Sequence, residues 1–293
     1  MKRRKTLQEL TFKDNFMFAA VMLDEENAKG VVERALGIKV DHVQVSFEKS
    51  IVYNPEYKGI RLDVYLTDDE DRHFNVEMQV AATEILKRSR YYHSQIDMEL
   101  LGTGIDYEEL PESYVIFICD FDPIGLGKYK YTRGQTILED KHYAYDDGSH
   151  TVFLSTVGEN EAEVPQDLVK FLKFVGAGLD ESKEEYSDEF VEQLQKSVEK
   201  IKFDREMGRR YMLFEEMMKD EYNAGKAEGI ANSLSECKKN IIEILVGIAP
   251  VSENLKNRIL SIENFDDVMQ LTVKAAKADK LQTFEEELEK MGY

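Results

Sequence analysis

Residues 58–92, KGIRLDVYLTDDEDRHFNVEMQVAATEILKRSRYY, decide the fold. Ile60, Leu62, Val64 and Leu66 alternate with Arg61, Asp63 and Tyr65, and Phe74, Val76, Met78 and Val80 alternate with His73, Asn75, Glu77 and Gln79. This period of two predicts two strands, each with one apolar and one polar face, joined by the acidic turn Asp68-Asp69-Glu70-Asp71 and followed by a helix. A turn centred near Glu70 sets Asp63 directly across from Glu77, with Gln79 two residues along on the same face. Side chains so paired lie roughly 4.5–5.5 Å apart at Cβ. Facing carboxylates repel, so the pair requires a cation between them or a proton on one acid. Oxygen ligands this close suit a hard divalent ion such as Mg²⁺ or Mn²⁺, which also accepts substrate phosphate oxygens. The plainer reading is a half-exposed hairpin whose polar face simply carries charge.

Working outward, Thr83 or Glu84 starts the next helix, on which Arg88, Tyr91, Tyr92 and Gln95 share one side. Packed on the sheet, that helix aims Arg88 at a metal or a scissile phosphate, a role suited to its planar fork. The alternative is a salt bridge from Arg88 to a nearby acid; Tyr91 and Tyr92 read as core. Upstream, Asp14 precedes a helix running to about Ala35, with Gly37 as its stop, and Asp14 itself suits a helix cap. Val43 to Tyr53 reads as a strand broken by Asn54-Pro55. Downstream, Tyr114 to Cys119 is a continuous apolar run of the kind a central, doubly covered strand requires. Asp120, Asp122 and Pro123 follow where open sheets place ligands, although Asp-Pro and Gly125-Leu-Gly127 are turn chemistry. Residues 130–137 and 151–157 are further strand candidates.

From Pro165 onward the pattern is helical. Leu168, Phe171, Leu172 and Val175 form one apolar stripe, Val191, Leu194, Val198 and Ile201 a second, and Met207, Met212, Leu213, Met217 and Met218 a third. Asn223-Ala-Gly225 and Gly229 interrupt the pattern before a terminal bundle over 241–275. Packing within the chain is the first reading of these stripes, and a homodimer through the helical region the second.

The 293 residues are 42% hydrophobic and 33% charged, with a formal net charge of −20. Such a chain holds a sizeable core and lacks any apolar run of the ~18 residues a membrane span needs. Lys2 to Lys5 is not followed by a signal-peptide core, so a cytoplasmic location is expected. Cys119 and Cys237 have no neighbouring cysteine and read as reduced packing residues. There is no Walker lysine loop, GxGxxG, nucleophile elbow or HExxH, and the five histidines lack zinc-ligand spacing. The acidic balance argues against nucleic-acid binding, which rests on Lys and Arg. Against it stand local basic clusters at 2–5, at Lys58 with Arg61, at Lys87, Arg88 and Arg90, and at Lys128, Lys130 and Arg133, so weak, salt-sensitive binding is expected.

An Asp on one strand, Glu-x-Lys or Glu-x-Gln on the next and then a helix resembles the core of the PD-(D/E)XK nucleases. FKDNFMFAAVM at 12–22, KGIRLDVY at 58–65, NVEMQ at 75–79, RSRYY at 88–92 and SYVIFICDFDPIG at 113–125 are similar to the Rpn family. Its members are recombination-promoting nucleases, also described as PD-(D/E)XK nuclease family transposases. The resemblance spans about residues 8–157. It implies a restriction-endonuclease-like α/β core, a central mixed sheet flanked by helices, over 1–160, with an all-helical region over 161–293. It further implies a Mg²⁺- or Mn²⁺-dependent endonuclease acting on DNA with Asp63, Glu77, Gln79 and Arg88 as the catalytic set. Asp63, Glu77 and the backbone carbonyl of Met78 would hold the metal, joined by Asp14 on the first helix. Gln79 stands where most of these nucleases carry Lys; an amide supplies neither a base nor a positive charge, so Arg88, then Lys87 or Arg61, is expected to replace the ammonium. The second reading is an inactive nuclease fold serving as a binding or regulatory module, its acidic helical half engaging a protein partner.

Overall fold

The computed structural model describes residues 4–51 and 59–293, so the expectations for residues 2–3, the end of the first strand, Asn54-Pro55 and Lys58 lie outside the described residues. The chain divides into two compact units, residues 1–211 and 212–293. The division falls later than the expected boundary at 160/161, because two helices beyond it pack onto the sheet-bearing unit.

The first unit opens with α1 (Asn15–Met22) and α2 (Glu25–Leu36). The single helix expected here is broken at Asp24, whose side chain accepts a hydrogen bond from the Asn27 N–H and caps α2. Gly37, with φ +76°, ends α2 as expected. β1 (Val43–Ile51), β2 (Ile60–Asp68) and β3 (His73–Gln79) form an antiparallel meander, α3 (Ile85–Leu100) crosses over, and β4 (Ser113–Cys119) runs parallel to β3. β5 (Lys130–Arg133), β6 (Gln135–Ile137), β7 (Asp140–Tyr145) and β8 (Ser149–Ser155) complete the strands; β6 and β7 pair as a separate ribbon. The main sheet is mixed, in the order β1-β2-β3-β4-β8-β5.

One face of the sheet lies under α3. Ile85, Tyr92 and Ile96 pack there on Tyr65, Val115, Phe117, Cys119 and Phe153. Side chains pointing the other way, including Val64, Val76, Ile116 and Leu154, are as deeply buried under α1 and α2, with α4 (Gln166–Gly176) and α5 (Glu189–Phe203) packed against those helices. Burial on both faces explains the unbroken apolar run of β4. Lys13 fastens the layers together: its ammonium binds the Asp120 carboxylate at 2.8 Å and the Gly176 carbonyl at 2.8 Å.

α6 (Arg205–Ile248) continues without interruption through Asn223, Gly225 and Gly229. Glycine costs only about 1 kcal/mol per helical position, too little to end a helix of this length. Of the methionine stripe on it, Met212, Leu213 and Met217 are each more than 60% exposed. In the second unit α7 (Glu253–Leu260), α8 (Phe265–Lys277) and α9 (Leu281–Lys290) close around Ile241, Leu245, Leu271 and Phe284.

At Gly30 α2 comes close to α5: a Cβ there would run into the Phe190 ring. Arg34 stacks on that ring at 4.0 Å and pairs with Asp188. Gly30→Ala is therefore expected to overpack the contact and cost about 2 kcal/mol. That corresponds to a fall of roughly 4–8 °C in melting temperature, measurable by calorimetry.

Candidate active site

The β2–β3 ladder pairs Val64 with Val76, Tyr65 with Asn75, Leu66 with Phe74 and Thr67 with His73. This register points Asp63 and Glu77 at each other, and the two strands meet there through side chains. The Asp63 N–H donates to Glu77 Oε1 at 3.1 Å, and the Met78 N–H donates to Asp63 Oδ2 at 3.3 Å. In an extended strand the N–H and C=O of one residue point to the same side, so the Met78 carbonyl also faces the Asp63 side.

The polar row of β3 is not solvated. α3 lies over it, and Asn75 and Glu77 are both 0% exposed, which excludes the half-exposed hairpin. Asn75 Nδ2 donates to Glu77 Oε1 at 3.2 Å. From α3, Arg88 Nη2 donates to Glu77 Oε2 at 2.6 Å, its Nη1 to Gln79 Oε1 at 3.1 Å and its Nε to the Tyr92 hydroxyl at 2.8 Å. That hydroxyl reaches Glu77 Oε2 at 3.5 Å. The guanidinium also lies 5.0 Å from the Tyr92 ring centre and 5.6 Å from that of Phe117, so its planar fork is fixed on both edges and on its face. Burial, and next the Asp63 charge, push the Glu77 carboxyl above the ordinary range.

Of the expected residues, Asp63, Glu77, Gln79, Arg88 and the Met78 backbone converge. Arg88 makes the salt bridge that was the alternative to a catalytic role, and it makes it to the central acid. Gln79 holds Arg88. Arg61 and Lys87 are exposed. Asp14 is engaged elsewhere: its carboxylate binds Lys5 at 2.7 Å and the Thr11 N–H at 2.7 Å. It occupies the cap position of α1 without a side-chain cap bond, because its oxygens turn back toward those two residues. Asn75 and Tyr92 were missed. Asn75 belongs to the same alternating row as Glu77 and Gln79, and Tyr92 stands one helical turn beyond Arg88, a spacing that brings both to one contact.

Asp120 and Asp122 shape the turn after β4. Asp122 accepts from the N–H groups of Ile124, Gly125 and Gly127 and from the Tyr131 hydroxyl. Cys119 is fully buried and its thiol pushed up to about 12 by burial, as befits a packing residue.

A family model for PD-(D/E)XK nuclease family transposases matches residues 7–228. The chain belongs to that family. Comparison with curated proteins and with solved structures gives no match. The PD-(D/E)XK family match indicates a nuclease-type function and agrees with the mixed sheet flanked by helices. It extends through α4 and α5 into α6, and passes the unit boundary after Tyr211. No helix among the described residues is long and apolar enough to cross a membrane.

The donor set fits the divalent ion that PD-(D/E)XK nucleases generally use. It consists of two carboxylates with a main-chain carbonyl beside them, all hard oxygen. Burial first, and then the Asp63 charge, raise the Glu77 carboxyl despite Arg88. Among the described residues no group of three or more His, Cys, Asp or Glu is arranged around one point, so water and substrate would complete the shell.

The strained pair has a pH signature. With its pKa raised, Glu77 keeps a proton in the folded chain that the unfolded chain has already lost, so stability falls as pH rises from the ordinary glutamate range. Asp63→Asn removes the repelling charge at constant shape. In metal-free buffer it is expected to raise the melting temperature by roughly 2–4 °C more at pH 8 than at pH 5, about 1 kcal/mol. Equal effects at both pH values would show that the two carboxylates do not repel.

Proposed function

We propose that this chain is a divalent-metal-dependent DNA endonuclease that hydrolyses phosphodiester bonds at the Asp63–Glu77 pair. The observation that carries the reading is the reciprocal contact of these acids across β2 and β3, with the Glu77 carboxyl pushed up first by its burial and then by Asp63. Asp63, Glu77 and the Met78 carbonyl would hold Mg²⁺ or Mn²⁺. When bound, such an ion polarises the phosphoryl oxygens, activates water and offsets charge on the leaving oxygen.

The protein's own groups supply the rest. Asn75 and the Asp63 N–H hold Glu77 Oε1 in place. Arg88 covers Glu77 Oε2, so loading the site requires the guanidinium to yield that oxygen. Its remaining anchors, Gln79 and Tyr92, keep it on the same side of the sheet, where its fork grips phosphate oxygens. Gln79 is thus a positioning residue: it orients the cation that stands in for the motif lysine.

A second reading, an inactive nuclease fold used for binding, is favoured by the same Arg88 contact. Donors from Asp63, Asn75 and Arg88 already occupy both Glu77 oxygens, a closed arrangement that needs no ion.

Two measurements separate these readings. Asp63→Ala and Glu77→Ala are each expected to lower nicking of supercoiled DNA in Mg²⁺ by at least about 100-fold while retaining the wild-type circular dichroism spectrum; full activity in both removes them from the catalytic set. Millimolar Mn²⁺ is expected to raise the wild-type melting temperature, to have no effect on Asp63→Asn, and to bind Arg88→Ala more tightly than wild type. No metal-linked shift in the wild-type protein would favour the inactive module.

A further inference from the structure

The nuclease reading leaves one basic feature of the first unit unused. Most cations near the sheet are neutralised: Lys13 by Asp120, Lys49 by Glu99, Arg72 by Asp68, Arg88 by Glu77 and Lys128 by Glu163. Lys87, Arg90 and Arg133 are exposed, and their side chains make no hydrogen bond or ion pair among the described residues. In a chain of net charge −20, three unneutralised cations on one groove are unexpected unless the groove takes an anion.

The groove, about 500 Å³, runs between the outer side of α3 and the edge strand β5. α3 contributes Lys87 and Arg90, three positions apart and therefore on one side of the helix. β5 contributes Tyr131 and Arg133, and Phe153 of β8 forms the floor. Leu86, Ser89 and Thr132 complete the sides. Ile124 forms the end wall, and its loop is fixed in advance by the Asp122 carboxylate gathering three backbone N–H groups and the Tyr131 hydroxyl. A second recess along α3 shares Arg90 and Arg133 with the first, but Asp97 and Asp147 also line it, so the anion-binding trench is the first groove and ends at those two arginines.

The trench is in line with the acid pair. Glu77 is in register with Phe117, Phe117 with Phe153, and Phe153 with Tyr131. One row across one sheet face thus relates the buried carboxylate to the groove, three strand spacings or about 14 Å away; Phe117 and Phe153 in that row are buried under α3, so the row sets the distance and not the path. Arg88 touches the row at Phe117, which stacks on Phe153 at 5.7 Å.

The geometry points to a track for a single strand of DNA leading away from the Asp63–Glu77 pair. Lys87, Arg90 and Arg133 hold its phosphates, and the walls of Tyr131, Ile124 and Phe153 face its bases. A single strand fits because its base faces are free to meet an apolar wall, whereas a duplex presents only its phosphates and groove edges. This inference rests on the proposed nuclease reading and names the route that its substrate takes.

The test is anisotropy of a fluorescein-labelled single-stranded oligothymidylate with the full chain in EDTA, over a range of NaCl. Arg90→Glu with Arg133→Glu is expected to weaken binding at least ten-fold and to flatten the salt dependence by about 0.7 per cation removed. The milder Arg90→Gln with Arg133→Gln should lose less affinity in the same direction. Lys219→Glu with Lys226→Glu, an equal charge change on exposed α6 positions, should leave both quantities as they were. Binding by the Arg90→Glu, Arg133→Glu protein within two-fold of wild type overturns the track, as does tighter binding of a duplex of equal length. If wild type nicks DNA while those reversals change neither strand affinity nor KM, the track fails and the nuclease stands. If no metal supports nicking yet the reversals abolish strand binding, the track stands and the nuclease reading fails.

Discussion

A carboxylate with no exposed surface, placed opposite another carboxylate, is the constraint on which the centre of this fold depends. Isolated, an ionised Glu77 would cost several kcal/mol of lost hydration. The surrounding elements each answer that cost with a donor: the β2 main chain at Asp63, the neighbouring Asn75 and the Arg88 guanidinium. The Asp63 charge works against them, and the net result is a carboxyl that holds its proton more tightly than usual. The sheet tolerates this because β3 is interior, paired on one side with β2 and on the other with β4, and α3 lies over it as a lid.

The arrangement explains why Gln79 is compatible with a PD-(D/E)XK core. A lysine there would bring a second cation against Arg88. The amide instead offers an acceptor, Oε1, that takes Arg88 Nη1. The cation beside Glu77 is carried by α3, and Gln79 on the strand holds it. Arg88 in turn needs three acceptors or faces around it, and Tyr92 and Phe117 provide two of them.

Much of this was legible because it depends on short-range periodicity. The two-residue alternation on either side of Glu70 set the register that brings Asp63 to Glu77, and the apolar run at 114–119 marked the strand buried on both faces. What alternation does not tell is what covers a face: the row Asn75, Glu77, Gln79 reads as a solvated edge until α3 is laid on it. Asp14 illustrates the same limit, since its choice of Lys5 and Thr11 over the helix end is made by the path of the preceding segment. The break at Asp24 and the unbroken passage of α6 through Gly225 and Gly229 went the other way from local signals. A capping side chain outweighed continuity in one, and accumulated helix length outweighed two glycines in the other. Tyr92 looked like core and is core, but its hydroxyl end belongs to the site.

Arg88 lies only eleven residues along the chain from the acid it accompanies, whereas β4, which closes the other side of β3, comes from beyond a full helix. Closing the longer loop to Phe117 costs about 1 kcal/mol more in chain entropy than closing the loop to Arg88. The buried charge and its counter-ion therefore come from one contiguous segment and can meet while water still has access to them. Neither ion has to enter the interior alone, and the order in which the chain assembles is tied to the order in which its charges are sheltered.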